Sequence, residues 1–141
     1  GALDFWWVNM KQGRPMAFGR LGTVPLLALP GNPVAAMLSF MLFGRAAVRK
    51  MRGHTHWELP TRRARLRESV SRKDGRRHYL RVRLQQVGDG WEAALTGDQG
   101  SGILLSMVAA DGVAVIPEDC SQLPAGSEVE VILFPSTEGG A

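Results

Sequence analysis

The sequence predicts an α+β fold, in which the closing part of an α/β domain is followed by a small, antiparallel β-barrel-like domain. The apolar run 24–29 ends at a Pro-Gly-Asn-Pro turn, and an apolar segment with helical features follows it. From about residue 54, apolar and polar residues alternate in short stretches separated by glycine turns, which is typical of small antiparallel sheets and barrels. One strand–turn–helix unit is too little for a doubly wound domain, so we expect residues 1–53 to be an incomplete domain and residues 54–141 the barrel.

Composition narrows the class of protein. The chain has 141 residues, of which 45% are hydrophobic and 21% charged, a globular mixture and not a disordered one. No apolar run reaches the roughly 18 residues that a membrane span needs, and no export signal precedes the first strand, so we expect a cytoplasmic protein. The start Gly-Ala-Leu, without Met, suggests a piece of a longer protein. The single cysteine, Cys120, excludes an intramolecular disulfide and a cysteine-based zinc site.

Charge is distributed unevenly along the chain, although the net charge is only +4. Residues 1–53 carry seven Lys or Arg and one acid, residues 54–86 carry ten and three, and residues 87–141 carry nine acids and no Lys or Arg. This split leaves two alternatives: the basic part attracts a phosphate-rich or polyanionic partner, or the two parts face each other or a second subunit. RNA binding would need aromatic stacking platforms, and Tyr79 is the only candidate near the arginines, so we expect nucleic-acid binding to be weak and nonspecific. A small basic barrel that binds nucleic acid or protein without catalysis remains the alternative function.

The first part of the chain reads as three strands, at residues 5–10, 15–19 and 24–29, and one helix. Because the run 24–29 is apolar throughout, it predicts a strand covered on both faces, typically in a parallel sheet. The helix is predicted over residues 33–52, with Asn32 as N-cap, Pro33 as first residue, cations in the last turns and Gly53 at the end. The helix is apolar on nearly every face as far as Phe43, so the isolated chain is expected to expose an apolar patch and self-associate through Val34, Met37, Leu38, Met41 and Leu42.

The second part is predicted to form short strands around residues 63–67, 80–84, 91–95, 113–116 and 129–133. Turns at 73–75 and 88–90 separate the first three. Residues 101–110 instead show a helical spacing of apolar residues, with Ser101 placed as N-cap.

Two turns could bind an anion through their backbone. In the Pro30–Pro33 turn, the end of a strand meets the start of a helix, where backbone N–H groups and the helix dipole favour phosphate or carboxylate. The glycine-rich loop 97–102 permits close backbone approach, and Ser101 adds a hydroxyl. Both also read as ordinary turns with good capping residues.

The other candidate residues also have an ordinary structural explanation. Lys11 and Arg14 flank a glycine turn, where cations are usually solvated, and the arginines of residues 62–83 alternate along strands as a solvated face would. His54 and His56 lack a third ligand of suitable spacing, so we expect no metal there.

Several segments together resemble one family. Residues 11–19 read Lys-Gln-Gly-Arg-Pro-Met-Ala-Phe-Gly and residues 29–35 read Leu-Pro-Gly-Asn-Pro-Val-Ala, in the order and at the spacing of two motifs of the molybdopterin molybdenumtransferases, the MoeA and gephyrin E-domain family. Gln-Gly-Ser-Gly at 99–102, Ala-Asp-Gly at 110–112 and Pro-Ala-Gly-Ser-Glu-Val at 124–129 are similar to its last domain. The resemblance covers about residues 5 to 134.

The resemblance implies the C-terminal third of such an enzyme. Residues 1–53 would close its molybdopterin-binding α/β domain, and residues 54–141 would form its C-terminal barrel. The family inserts molybdenum from molybdate into adenylylated molybdopterin with loss of AMP, using magnesium whose ligands we expect outside this chain. The resemblance further implies a homodimer and, as a possible partner, a molybdopterin adenylyltransferase. The chain alone is expected to be inactive.

The resemblance also assigns roles to individual residues. Lys11 and Arg14 would neutralise the phosphate or the oxyanion, and Arg81 and Ser101 would approach molybdate by charge and by hydroxyl. The turn that would present its backbone to the pterin phosphate consists of Pro30, Gly31, Asn32 and Pro33. Three residues depart from the family pattern and weaken the expected oxyanion binding: Gln12 for a proline, Ala35 for a serine and Trp7 for a basic residue.

Overall fold

A computed structural model describes residues 3–7, 17–31, 33–72, 74–97 and 109–135. The chain divides into two compact units, Gly1–Glu58 and Leu59–Ala141. The boundary falls later than the one expected after Gly53. Residues 101–108, the greater part of the helix predicted at 101–110, lie outside the described residues.

The first unit contains a three-stranded antiparallel sheet. Its strands are β1 (Leu3–Trp7), β2 (Ala17–Leu21) and β3 (Val24–Ala28), in the order β1-β2-β3. The expectation that the strand at 24–29 belongs to a parallel sheet and is covered on both faces is wrong. A two-residue turn joins β2 to β3 and can only reverse the chain, and Val24 is 62% exposed.

The predicted helix is confirmed, with a π-helical turn in its middle. It consists of α1 (Pro33–Ser39), a π-helical segment (Phe40–Gly44) and α2 (Arg45–Met51). The N–H of Arg45 donates to the carbonyl oxygen of Phe40, five residues back. A Cβ atom on Gly44 would lie 2.5 Å from Phe40 Cδ2 and 3.1 Å from Leu27 Cδ2, so a glycine is needed where the segment packs against β3.

The helix ends as the sequence predicts. Gly53 has a φ of 85°, its N–H donates to Lys50 O, and the N–H of His54 donates to Arg49 O, both at 3.0 Å. These two bonds define a Schellman motif, which satisfies carbonyl groups of the last turn. Arg49 and Lys50 lie in that turn, where the helix dipole favours cations.

The apolar surface of the helix is only partly covered. The expectation that Val34 and Leu38 are exposed is wrong, since both are buried within the chain. The exposed large apolar residues of the helix are Met37, Phe40, Val48 and Met51, with Met51 the most exposed at 68%. Beside the helix lies an open groove of about 580 Å³, lined by Phe18, Gly19, Pro25, Leu26, Leu27, Leu29, Phe40, Phe43, Gly44, Ala47, Val48 and Met51.

The second unit is built around a closed five-stranded barrel, which confirms the barrel-like fold. Its strands, in the order in which they pair around the barrel, are β10 (Glu128–Leu133), β4 (Thr61–Leu66), β7 (Gly90–Leu95), β6 (His78–Val87) and β8 (Gly112–Ile116). Two short strands, β5 (Val70–Ser71) and β9 (Gln122–Leu123), pair separately. The barrel is mixed and not purely antiparallel as expected, because β4 and β7 run parallel where Arg65 faces Glu92 and Leu66 faces Ala93.

Alternate residues of the strands fill the barrel, as the period-2 pattern predicts. In β6, for example, Leu80 and Val82 point inward, whereas Tyr79 and Arg81 lie on the opposite face. The buried interior consists of Ala64, Leu66, Leu80, Val82, Ala93, Ala114, Ile116, Val129 and Val131.

We expect the barrel to reject a side chain at Gly112. A Cβ atom there would overlap the carbonyl oxygen of Ile132 and lie 3.2 Å from Leu133 Cα, both backbone atoms of β10. Gly112→Ala should therefore lower the free energy of unfolding by at least about 1–3 kcal/mol in a denaturant titration. Gly90→Ala is the matched control, since its nearest neighbour is the mobile end of Arg65 at 3.3 Å, and it should cost less than about 0.5 kcal/mol. Equal losses for the two variants would contradict this account of Gly112.

Candidate anion-binding site

The Pro30 turn lies where the sequence predicts, between β3 and α1. Pro30 is buried, Gly31 is exposed, and nothing lies within 4 Å of a Cβ atom built on Gly31. Pro33 is the first residue of α1. Gly31 thus presents an accessible backbone near the positive end of a helix dipole, the arrangement that suits an anion. Of the other predicted site residues, Lys11, Arg14, Asn32 and Ser101 lie outside the described residues.

Arg81 occupies a different environment from the solvated face that its alternating pattern indicates. Its side chain is completely buried, although it lies on the outer face of β6, opposite the barrel interior. Tyr79 and Val113 are buried on the same face, and Val113 is the direct cross-strand neighbour of Arg81. Removing a guanidinium from water costs several kcal/mol before compensation, so a cation in this place needs a counter-charge or hydrogen-bond acceptors.

The backbone around Arg81 is held from both sides. Its carbonyl oxygen accepts hydrogen bonds from the Thr96 N–H at 3.1 Å and from Thr96 Oγ1 at 3.4 Å. On the other edge of β6, the N–H of Asp111 donates to Val82 O at 2.8 Å. Thr96 directly precedes the glycine-rich loop that carries Ser101 in the sequence. Thr96, the residue just before the predicted serine loop, is therefore hydrogen-bonded to Arg81, with which Ser101 is expected to act.

Arg63 and Arg65 of β4 face the acidic half of the chain. Arg63 Nε lies 3.0 Å from Glu128 Oε1 on β10, and Arg65 has Glu128 and Glu92 as its cross-strand neighbours. Beyond β4, Arg67 Nε lies 3.8 Å from Glu92 Oε1. Within this unit, the basic and acidic stretches thus face each other, which was one of the two alternatives left by the sequence.

Two arginines that the sequence assigns to the solvated face instead contact other side chains of the second unit. The Arg62 guanidinium lies 4.1 Å from the centre of the Trp91 ring, a cation–π contact. The Arg72 side chain is 4% exposed and its Nη1 lies 3.8 Å from Asp74 Oδ1. None of its guanidinium nitrogens has a hydrogen-bond partner among the described residues.

Asp74 is the anion beside Arg72. His78 Nε2 lies 2.9 Å and 3.0 Å from its two carboxylate oxygens, and the N–H of Arg76 donates to Oδ1 at 3.1 Å. The hydrogen bond with His78, and after it the one from Arg76, lower the pKa of Asp74 from 3.8 to about 2. The carboxylate therefore remains ionised beside Arg72 at any pH near neutrality.

The sequence analysis missed Thr96, Asp111 and the Arg72–Asp74–His78 cluster. In the sequence, Asp111 is noted only as part of the Ala-Asp-Gly segment that resembles the family. An aspartate directly before a strand is a residue that bonds to nearby backbone N–H groups, and that was the available signal. The cluster lies within residues 72–78, and its available signal was the turn at 73–75, which places an aspartate between Arg72 and His78.

The protein therefore consists of two units, one with an accessible strand-to-helix turn and one with a small closed barrel that holds a buried arginine. Its class is that of a two-unit protein suited to anionic ligands. The model of the MoeA C-terminal region (domain IV) matches residues 63–134. The chain belongs to the MoeA family.

Relatives match over nearly the whole chain. The molybdopterin molybdenumtransferase of Haemophilus influenzae is 29% identical over 140 residues, which cover 95% of this chain and 34% of the relative. Molybdopterin molybdenumtransferase 2 of Mycobacterium tuberculosis is 34% identical over 130 residues, covering 92% and 31%. The chain thus spans about a third of the length of these relatives.

Solved structures agree with the fold. The molybdopterin biosynthesis moeA protein of Pyrococcus horikoshii OT3 superimposes with a TM-score of 0.74 at 30% identity, covering 94% of this chain and 32% of that one. A molybdenum cofactor biosynthesis protein of Pyrococcus furiosus gives 0.77 at 32% identity, with 94% and 45% covered.

We expect Asp74→Asn to destabilise the barrel by leaving the buried Arg72 without an anion. The lowered pKa of Asp74 means that its ionisation contributes stability above pH 3.8, and that this contribution is lost as the pH falls towards 2. Denaturant midpoints should therefore differ between wild type and variant at neutral pH and converge as the pH falls through that window. Asp119→Asn, at an exposed acid in the turn after β8, is the control and should change the midpoint little. A gap that persists unchanged to pH 2 would contradict the assignment.

Proposed function

We propose that this chain is the C-terminal portion of a molybdenumtransferase that inserts molybdenum from molybdate into adenylylated molybdopterin, with loss of AMP, in molybdenum cofactor biosynthesis. The family membership and the names of the relatives support this activity. Molybdate and adenylylated molybdopterin are both anions. A chain with a basic first part and an accessible helix N-terminus suits such substrates.

The observation that carries the proposal is the placement of Arg81. Arg81 is fully buried, and its carbonyl oxygen is hydrogen-bonded to Thr96, the residue just before the predicted serine loop. In the proposed site, Arg81 holds the molybdate oxyanion by charge and Ser101 by its hydroxyl. Away from water, such a guanidinium binds and orients an oxyanion more strongly than a solvated one would.

We also propose substrate contacts within the first unit. Lys11 and Arg14 neutralise the phosphate or the oxyanion, and the backbone of the turn receives the pterin phosphate. Its members are Pro30, Gly31, Asn32 and Pro33. Because Gln12 and Ala35 depart from the family motifs, we expect the chain alone to bind molybdate weakly, on the order of millimolar, or about 4 kcal/mol.

Magnesium, the metal implied by the family, finds no match among the described residues. They contain no group of three or more His, Cys, Asp or Glu side chains that could hold a metal ion. We propose that its ligands come from outside this part of the protein.

We further propose a homodimer, with a molybdopterin adenylyltransferase as a possible partner and the cytoplasm as location. The partly open apolar groove beside the helix supports self-association. No helix in the described ranges has both the length and the apolar character needed to cross a bilayer. Arg63 and Arg65 of β4 face glutamates of the same unit, which does not favour the nucleic-acid-binding alternative.

Removing the charge of Arg81 is the direct test. In the full-length polypeptide that carries these residues, Arg81→Met should weaken molybdate binding, measured by calorimetry, at least about tenfold, since a charge-assisted hydrogen bond contributes about 1.5–3 kcal/mol. The melting temperature is measured beside the affinity, because Arg81→Met also removes the contacts that the buried guanidinium makes within the protein.

Arg83→Met is the matched control. Arg83 lies on the same face of β6 as Arg81 but is exposed, so its loss should leave molybdate affinity unchanged. Equal affinities for wild type and Arg81→Met would remove Arg81 from the site.

A further inference from the structure

We propose that Asp111 is a positioning residue for Arg81. It would set the backbone of β6 so that the guanidinium meets the oxyanion. This inference rests on the proposed function, because it assumes that Arg81 binds molybdate. Asp111 itself contacts no predicted substrate group.

The strand that carries Arg81 changes its neighbour at one residue. Residues 78–82 of β6 pair with β8 along one edge, and residues 82–87 pair with β7 along the other. Val82 belongs to both ladders. Arg81 therefore lies directly beside the point where the strand passes from one partner to the next.

Asp111 is bonded at this junction to two parts of the barrel. Its N–H donates to Val82 O at 2.8 Å, and its Oδ2 accepts the N–H of Leu84 at 2.8 Å. Its carbonyl oxygen accepts the N–H of Phe134, just after β10, at 3.0 Å. The carboxylate continues the ladder along the β8 edge of β6, beyond the point at which β8 begins.

The carboxylate bond is better suited to fixing a geometry than to stabilising the fold. Asp111 is exposed, and an intramolecular hydrogen bond that competes with water contributes little net stability. A binding group, however, is sensitive to small displacements, and about 1 Å of misplacement can reduce a rate about a hundredfold. With Thr96 bonded to Arg81 O on the opposite edge, the segment 81–84 is fixed on both sides.

The test removes only the side-chain bond. In the full-length polypeptide, Asp111→Ala should raise the KM for molybdate roughly tenfold, with a smaller change in kcat and an almost unchanged melting temperature. Asp111→Asn keeps an acceptor oxygen and should restore most of the KM. Asp119→Ala removes another exposed acid of the same barrel and should have no effect.

A double-mutant cycle separates positioning from other roles. If Asp111 acts through Arg81, adding Asp111→Ala to Arg81→Met should not raise the KM further. Equal effects of Asp111→Ala in both backgrounds, or a variant that fails to fold, would overturn the inference.

The two proposals fail differently. If Arg81→Met leaves the KM unchanged, the proposed role of Arg81 is wrong. If Arg81→Met raises the KM and Asp111→Ala does not, only the positioning inference is wrong.

Discussion

The barrel depends on the way in which β6 divides its hydrogen bonds. Its first half pairs with β8 and its second half with β7, so this strand of ten residues joins two parts of the wall that do not pair with each other. The parallel contact of β4 with β7 closes the remaining gap. Arg81 lies beside the residue at which the pairing divides. The placement of Arg81, which is proposed to bind the oxyanion, is therefore a consequence of barrel closure.

Local patterns identified most of the strands, but not the tertiary environment of their polar residues. The alternation of Leu80 and Val82 with Arg81 and Arg83 correctly predicts a strand with one apolar face. It assigns both arginines to solvent, yet Arg81 is buried and Arg83 exposed. Only contacts between residues distant in sequence distinguish the two, and no periodicity contains that information.

The same limit explains the remaining differences. The parallel pairing of β4 with β7 joins strands separated by β5 and β6, so no turn signal announces it. For the site, the Pro30 turn and Arg81 could be proposed from the resemblance. Asp111 and Thr96 could not, because their importance comes from bonds to backbone atoms of β6. Sequence reasoning was strongest where capping residues act locally, as at Pro33 and Gly53.

The π-helical segment changes the direction in which the rest of its helix points. A regular α-helix advances by about 100° per residue, so one additional residue in a single turn rotates everything after it by about that angle. α2 follows the segment, and it carries Lys50, whose ammonium lies 5.1 Å from the centre of the Trp57 ring. In genetic terms, residues 40–44 behave like a single-codon insertion that the helix has absorbed. Deleting one codon there would leave an uninterrupted helix but turn α2, with Lys50 and Trp57 after it, by about that angle relative to α1.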